Sequence, residues 1–256
     1  MLTEGLQLKY PIVLIHGLGA RSSYGPIEYF YKLPKVLREA KNQVFIANLT
    51  PWHTIEHRAE QLRTQIVTQF PEGKVNLLGH SMGGLDARLL ISKLQFSQRI
   101  ASLTTIGTPH RGTSVGDVAL GILPDKTFQA VDLIAKLMNS SSLAFKQLTR
   151  QYCTEQFNRE VLNDPKVAYY SATTAIATPI LTNALPLFWL SHGLISKREG
   201  DNDGFVSVES ARWGEHLCTY AGDHYSQIGQ FLGRARGMDY LKFYTEIFTR
   251  LKRDGH

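Results

Sequence analysis

Cysteine is almost missing from this chain of 256 residues: only Cys153 and Cys218 occur. They could form at most one bridge, so no disulfide framework holds the fold, and their spacing suits neither a zinc site nor a redox motif. Two buried free thiols are the expectation. Long hydrophobic runs are missing as well. The longest, Ala184 to Leu190, falls well short of a bilayer span and contains Pro186, so no transmembrane segment is expected. The opening MLTEGLQLKYPIVLIHG lacks a basic segment followed by an apolar core and a small-residue cleavage site. Pro11 to Ile15 reads there as a strand, so no signal peptide is visible and no location is assigned. The net charge is +6, yet Lys and Arg are dispersed rather than gathered in a basic stripe with aromatics. That argues against a nucleic-acid partner. Repeats, low-complexity tracts and linkers are also lacking. With 43% hydrophobic and 20% charged residues, the chain reads as one domain, 1–256, of ordinary globular composition.

What is present centres on Lys74 to Asp86, KVNLLGHSMGGLD. Val75, Leu77 and Leu78 read as a buried strand; Leu85, Leu89, Leu90 and Leu94 follow with helical spacing. Between them stands Gly79-His80-Ser81-Met82-Gly83. Strand, G-x-S-x-G, helix is the context of a nucleophile elbow. The turn is so tight that side chains two residues either side of the serine would collide, which glycine at 79 and 83 avoids. Ser81 then projects above the sheet edge, and the helix behind it places positive backbone dipole where an anion would form.

Tyr10 to Ile15 reads as a strand running into His16-Gly17-Leu18-Gly19. Acyl transfer needs backbone N–H groups aimed where charge develops on the tetrahedral intermediate, and glycines permit that close approach. The Leu18 and Met82 amides are the expected oxyanion donors. Further strands are expected at Gln43 to Leu49, Ile100 to Ile106, Val167 to Thr173 and Leu217 to Tyr220. Helices are expected at Leu33 to Ala40, from a Thr54 cap to Phe70, and at Met238 to Lys252. Arg21 to Tyr31 reads as turn-like, and Pro179 to Ser196 as a loop. The alternation predicts an α/β fold with a mostly parallel sheet flanked by helices. From about 113 to 164 the strand signal stops. Val118, Leu120, Ile122, Val131, Ile134, Leu137 and Met138 keep helical spacing, and Leu143 to Phe157 reads as another helix. A helical insertion at the same sheet edge reads as a lid.

A serine hydroxyl is too weak an acid to attack an ester unaided. It needs a histidine to take its proton, and that histidine needs an acid to hold its tautomer. In this fold the order is Ser, acid, His. His216 lies at the wrong end of its strand, and His256 is the terminal residue, where ends fray. His224, in Ala221-Gly222-Asp223-His224, follows the strand at the Ser81 end. For the acid, Asp201 and Asp203 both fit within Gly200-Asp201-Asn202-Asp203-Gly204; the apolar pair Phe205-Val206 favours Asp203. Asp86 and Asp223 lie too near Ser81 and His224 in sequence and read as helix and turn residues. His16, His80 and His110 are expected to hydrogen-bond around the oxyanion loops, with His53, His57 and His192 on the surface or lid.

Taken together, PIVLIHGLG, IEYFYKLPKVLR, VNLLGHSMGGL, TIGTPHRGT, NDGFVS and GDH resemble the bacterial true-lipase family of Pseudomonas, Burkholderia and Proteus type. The likeness spans nearly the whole chain and is weakest in the insertion. It implies an α/β-hydrolase fold, cleavage of acylglycerol esters, and a helical lid with an apolar underside that contacts a lipid interface. It places the nucleophile on Ser81, the acid on Asp203, the base on His224 and the oxyanion donors on Leu18 and Met82. Many members also hold a structural calcium. Here Ser226 stands at one ligand position, residues 184–187 carry no Asp, and only Gln230 matches, so no cofactor is expected. The disulfide of some members is not matched either. The expected function is a serine ester hydrolase and, by the resemblance, a triacylglycerol lipase that cleaves acylglycerol esters through an acyl-enzyme on Ser81, with lipid or small esters as substrate. The rivals are a short-chain carboxylesterase or thioesterase, a lyase or acyltransferase on the same triad, and a non-catalytic binding protein.

Overall fold

The computed structural model describes residues 6–120, 142–176, 186–230, 232 and 238–256. Its central strands are β1 (Ile12–Ile15), β4 (Val44–Ala47), β5 (Val75–His80), β6 (Ile100–Ile106), β7 (Ala168–Ala175) and β8 (Glu215–Ala221). They form a six-stranded parallel sheet in the order β4-β1-β5-β6-β7-β8. A two-stranded hairpin, β2 (Ser23–Tyr24) with β3 (Ile27–Glu28), occupies the segment expected to be a plain turn.

Strands β1, β5 and β6 are buried at every residue, because helices cover both faces, and so they read as continuous apolar runs. Successive side chains alternate between the two layers. Val13, Ile15, Val75, Leu77 and Leu103 point into one core with α2 (Ile55–Gln69) and α3 (Met82–Ser92). Ile12, Leu14, Leu78 and Ile106 point into the other, with α1 (Leu33–Glu39) and the last helix, Tyr240–Arg253. That last helix buries Phe243, Tyr244, Ile247, Phe248 and Leu251 on one face. Each such side chain contributes about 1.5–3 kcal/mol on leaving water. Thr54 caps α2 through its side chain, which accepts from the His57 N–H.

Beyond β6, α4 (Ser114–Ala119) and α5 (Ser142–Lys146) stand at the two ends of residues 121–141. Ile122, Val131, Ile134, Leu137 and Met138 of the expected lid lie outside the described residues. The single helix expected over Leu143 to Phe157 is instead α5, a turn, and a π-helical stretch at Tyr152–Phe157 that runs into Asn158–Glu160. The expected loop from Pro179 is partly wrong. Residues 177–185 lie outside the described residues, but Pro186–Glu199 is a helix, α6, with proline at its first position, where a missing N–H costs nothing. A short α7 (Val208–Ala211) precedes β8, and Tyr240–Arg253 is α8. His256 is tied down: its carbonyl accepts from the Lys9 N–H at 2.7 Å, and its ring lies 3.1 Å from the Tyr170 hydroxyl. Among the described residues no helix is long and apolar enough to cross a membrane.

The chain moves from β1 outward to β4 and returns to the far side of β1 as β5. The strand order therefore reverses between β1 and β5, and in open parallel sheets the crevice beyond the carboxyl ends at that point is where ligands bind. The two segments emerging there are His16-Gly17-Leu18 and Ser81-Met82.

Candidate active site

Ser81 sits between β5 and α3 with φ 56° and ψ −133°. A non-glycine residue there stores about 1–3 kcal/mol of strain, which the surroundings must hold. They do so through three hydrogen bonds. The Ser81 N–H donates to Ile106 O at 2.9 Å, and its carbonyl accepts from Gly84 N–H at 3.1 Å and Thr108 Oγ1 at 2.8 Å. The glycines explain themselves by distance. A Cβ on Gly79 would lie 2.7 Å from the Gly84 backbone, and one on Gly83 would lie 2.7 Å from Ile15 O.

The loop after β1 touches this turn. A Cβ on Gly17 would stand 2.8 Å from Ser81 Cβ and 3.2 Å from Ser81 Oγ. The backbone entering Leu18 thus passes beside the serine, while Met82, fully buried, opens α3 with an N–H that has no acceptor within the helix.

A buried clamp holds that loop. Arg58, from α2, bonds Asp86 Oδ2 through Nε at 2.9 Å, His16 O through Nη2 at 2.7 Å and Thr50 O through Nη1 at 3.0 Å. Arg58 and Asp86 are both 0% exposed. Burial nevertheless pushes the Asp86 carboxyl up to about 6, outweighing the pull of Arg58. His16 accepts from the Leu49 N–H at Nε2, so its Nδ1–H donates to Gly17 O at 2.9 Å. Burial first, then Arg58, lowers its pKa to about 4, which keeps it neutral. With the Gly17 carbonyl held on one side, the trans peptide turns the Leu18 N–H to the other.

Asp203 and His224 lie on loops after β7 and β8. His224 Nδ1 bonds Asp203 Oδ2 at 2.7 Å, and the His224 N–H donates to Asp203 O at 2.9 Å. The carboxylate is 1% exposed and ringed by donors. Its Oδ1 accepts from the Phe205 and Val206 amides at 2.9 and 2.7 Å, and its Oδ2 also accepts from Gln227 Nε2 at 2.7 Å. Asp201 is exposed. Asp223 instead takes the Ser226 N–H and hydroxyl on Oδ1, both at 2.7 Å. With Nδ1–H committed to Asp203, Nε2 of His224 keeps its lone pair. The His224 ring packs 4.5 Å from that of His80, the residue before Ser81, and Phe205 covers it at 5.3 Å.

Of the other histidines, His80 does lie beneath the site. His110 does not. Arg88 donates to its Nδ1 at 3.2 Å, its Nε2 bonds Thr105 Oγ1 at 3.0 Å, and Trp213 stacks on it at 5.0 Å. That cluster ties α3 to Asn158 and Val161 rather than to the loop after β1. Three contributors carried no sequence signal: Arg58, Tyr29 and Gln227. Each is a polar side chain whose partners are distant in the chain; Tyr29 lies within IEYFYKLPKVLR and Gln227 three residues after His224 in GDHYSQ, but neither motif assigns them a role.

Of the positions that would ligate calcium, 184 and 185 lie outside the described residues, and Ser226 and Gln230 are otherwise engaged. Ser226 donates to Asp223, and the Gln230 amide NH2 donates to Glu28 O and Tyr29 O at 2.9 and 3.2 Å. These two described groups, a hydroxyl and an amide NH2 already donating, do not fit a hard divalent cation. Among the described residues, no three His, Cys, Asp or Glu gather for a metal. Cys153 and Cys218 are both free thiols, but only Cys153 is buried; Cys218 is half-buried.

Residues 10–132 match the family model described as alpha/beta hydrolase fold. Triacylglycerol lipase 2 of Saccharomyces cerevisiae is 30% identical over 252 residues, covering 90% of this chain and 74% of that protein. A triacylglycerol lipase of Vibrio cholerae is 28% identical over 284 residues, covering 97% and 89%. The crystal structure of the mature Bacillus licheniformis lipase BlEst2 superposes with a TM-score of 0.70 at 23% identity, covering 94% of this chain and 92% of that one.

Proposed function

Because this chain belongs to the α/β-hydrolase family, and within it to the lipase and esterase type, we propose that it is a triacylglycerol lipase that cleaves acylglycerol esters through an acyl-enzyme on Ser81. The observation that carries the reading is the 2.7 Å bond from His224 Nδ1 to an Asp203 carboxylate held by three further donors. It sets the imidazole in the tautomer a general base requires.

His224 Nε2 takes the Ser81 proton as Oγ attacks the ester carbonyl. In this reading the oxygen that becomes negative is met by the Leu18 and Met82 amides, backbone donors that need little reorganisation during the reaction. Collapse expels the alcohol, which collects the proton from His224. A water deprotonated by His224 then releases the fatty acid. No cofactor takes part in these steps.

The rim supports a lipid substrate. Tyr24 and Trp52 are 54% and 38% exposed, and both lie against Gly19 of the oxyanion loop. Trp52 stacks on Phe145, and exposed Ile27 and Leu143 sit on the flanking elements. Apolar side chains left in water around a site favour contact with an acyl chain or lipid interface. The test is hydrolysis of emulsified long-chain triglyceride beside a soluble short-chain ester, with wild type and Ser81→Ala. Loss of both activities in a folded variant, with wild type turning over triglyceride, is the expected result. Turnover of the short ester alone moves the substrate to the esterase class, and turnover by Ser81→Ala removes the serine from the chemistry.

A further inference from the structure

Beneath the site runs a chain of hydrogen bonds whose directions are all determined. His80 Nε2 lies 3.2 Å from His224 O, which can only accept, so Nε2 carries the proton. His80 is fully buried and its pKa is held well below the usual value, chiefly by burial, so Nδ1 is bare. The Tyr29 hydroxyl, 2.7 Å away, therefore donates to it, and Tyr29 in turn accepts from the Gly17 N–H at 3.2 Å. The same His80 Nε2–H reaches Gln227 Oε1 at 3.1 Å. That contact orients the Gln227 amide, and the orientation follows from the network rather than from choice. Gln227 Nε2 is left facing Thr174 Oγ1 at 2.6 Å and Asp203 Oδ2 at 2.7 Å.

Gln227 is 0% exposed, and its own carbonyl accepts from the Tyr244 hydroxyl at 2.8 Å. Its amide is wedged against Gly107, where a Cβ would overlap Oε1. Every donor along the line, from the Gly17 amide to the Gln227 amide, thus points toward the carboxylate that holds His224.

We propose that Gln227 is a positioning residue for this hydrolase: its amide, oriented by His80 and Tyr29, holds the Asp203 carboxylate aimed at His224. The inference rests on the Ser81-Asp203-His224 reading given above. Few of the described titratable groups surround Asp203. His224 and Asp223 come from the loop after β8, His80 from β5, and Tyr29 from the segment after the hairpin. His192 and Glu199 come from α6, Tyr244 from α8, and the exposed Asp201 from its own loop. His192 feels both Asp201 and Asp203, while Glu199 accepts from the Ser114 and Ser207 hydroxyls. Among the described residues, only Gln227 donates to Asp203 Oδ2 beside His224.

Two substitutions separate this role from space-filling. Gln227→Met keeps the volume but cannot donate at any pH. Gln227→Glu keeps the donor while protonated; once ionised, it sets a second carboxylate against Asp203, and like charges at that distance cannot both persist. The experiment is kcat and KM on a soluble ester across pH 5 to 9. Gln227→Met is expected to lose about tenfold or more in kcat at every pH, with KM nearly unchanged. Gln227→Glu is expected to follow wild type on the acid side and to fall away as pH rises, a descending limb that wild type lacks. That acid-side activity also reports a folded protein if the Met variant misfolds. Wild-type kcat in Gln227→Met, or a Gln227→Glu profile parallel to wild type, overturns the proposal. Ser81→Ala is measured alongside. If it still turns over, the triad reading itself has failed; if it is dead while both Gln227 variants match wild type, only the role of Gln227 has.

Discussion

Replacing Asp203 by asparagine removes one acceptor from a carboxylate that meets four side-chain or backbone donors. Phe205 N–H and Val206 N–H face Oδ1, while His224 Nδ1 and Gln227 Nε2 face Oδ2. Asparagine has one oxygen and one NH2, so in either rotamer the NH2 meets two donors. The backbone amides cannot change their protons. His224 can, by moving its proton to Nε2, whereas Gln227 can turn its amide over only by giving up the His80 Nε2–H contact that orients it. The cheaper arrangement therefore points the introduced NH2 at His224 and leaves Nε2 protonated, with no lone pair for the Ser81 proton. The expected loss in kcat is on the order of 10³ to 10⁴, the scale seen when an acid-to-amide change inverts a catalytic histidine's tautomer. Stability should fall by about 1–3 kcal/mol, because the packing survives but one buried donor, at Gln227 or His80, is left without an acceptor. Asp201→Asn, at an exposed position, should leave kcat within about twofold. The assay is kcat and KM on a soluble p-nitrophenyl ester, with urea unfolding to confirm the fold. A D203N rate within about tenfold of wild type, or an equal loss in D201N, would refute the reasoning.

Two further outcomes follow from the clamp and the buried histidines. Arg58→Met should cost about 3–5 kcal/mol in urea unfolding, since it strands Asp86 and frees His16 O and Thr50 O, whereas Arg58→Met with Asp86→Leu should recover much of that. If the double variant is no more stable than the single one, the ion pair is not what the clamp depends on. Stability should also fall between pH 7 and pH 5. His16 has its folded pKa lowered to about 4 from 6.5, so the unfolded chain takes up the proton first and about 2 kcal/mol is lost on the way down. Asp86, raised to about 6, protonates first in the folded state and returns about 1 kcal/mol. His80 and His110, both lowered well below 6.5 by burial, add to the loss. A urea midpoint that is flat or rises toward pH 5 would contradict that balance.

Much of this fold was legible because its signals are local. Strands β1, β5 and β6 announce themselves as short apolar runs ending in glycine turns, and Thr54 marks the start of α2 by its capping chemistry. The hairpin at Ser23–Glu28 escaped notice because two-residue strands with exposed side chains carry no alternation to read. Helix α6 reads as a loop in the sequence for a different reason. Its opening PLFWL is apolar on consecutive residues, so no helical period emerges, and Pro186 reads as a breaker although it sits at the first position. In the site, chain order led to Asp203 and His224, which the fold joins at 2.7 Å. It could not show that His110 turns away toward Arg88 and Trp213, or that Gln227 reaches Asp203. A buried polar side chain is defined by partners that only the tertiary structure supplies.

The most direct measurement is covalent: incubate the protein with a fluorophosphonate ester, map the adduct by mass spectrometry, and repeat with His224→Ala. The account predicts a single adduct on Ser81 and its near-complete loss in the variant. An adduct on another residue, or one on Ser81 that forms as fast without the imidazole, would contradict it.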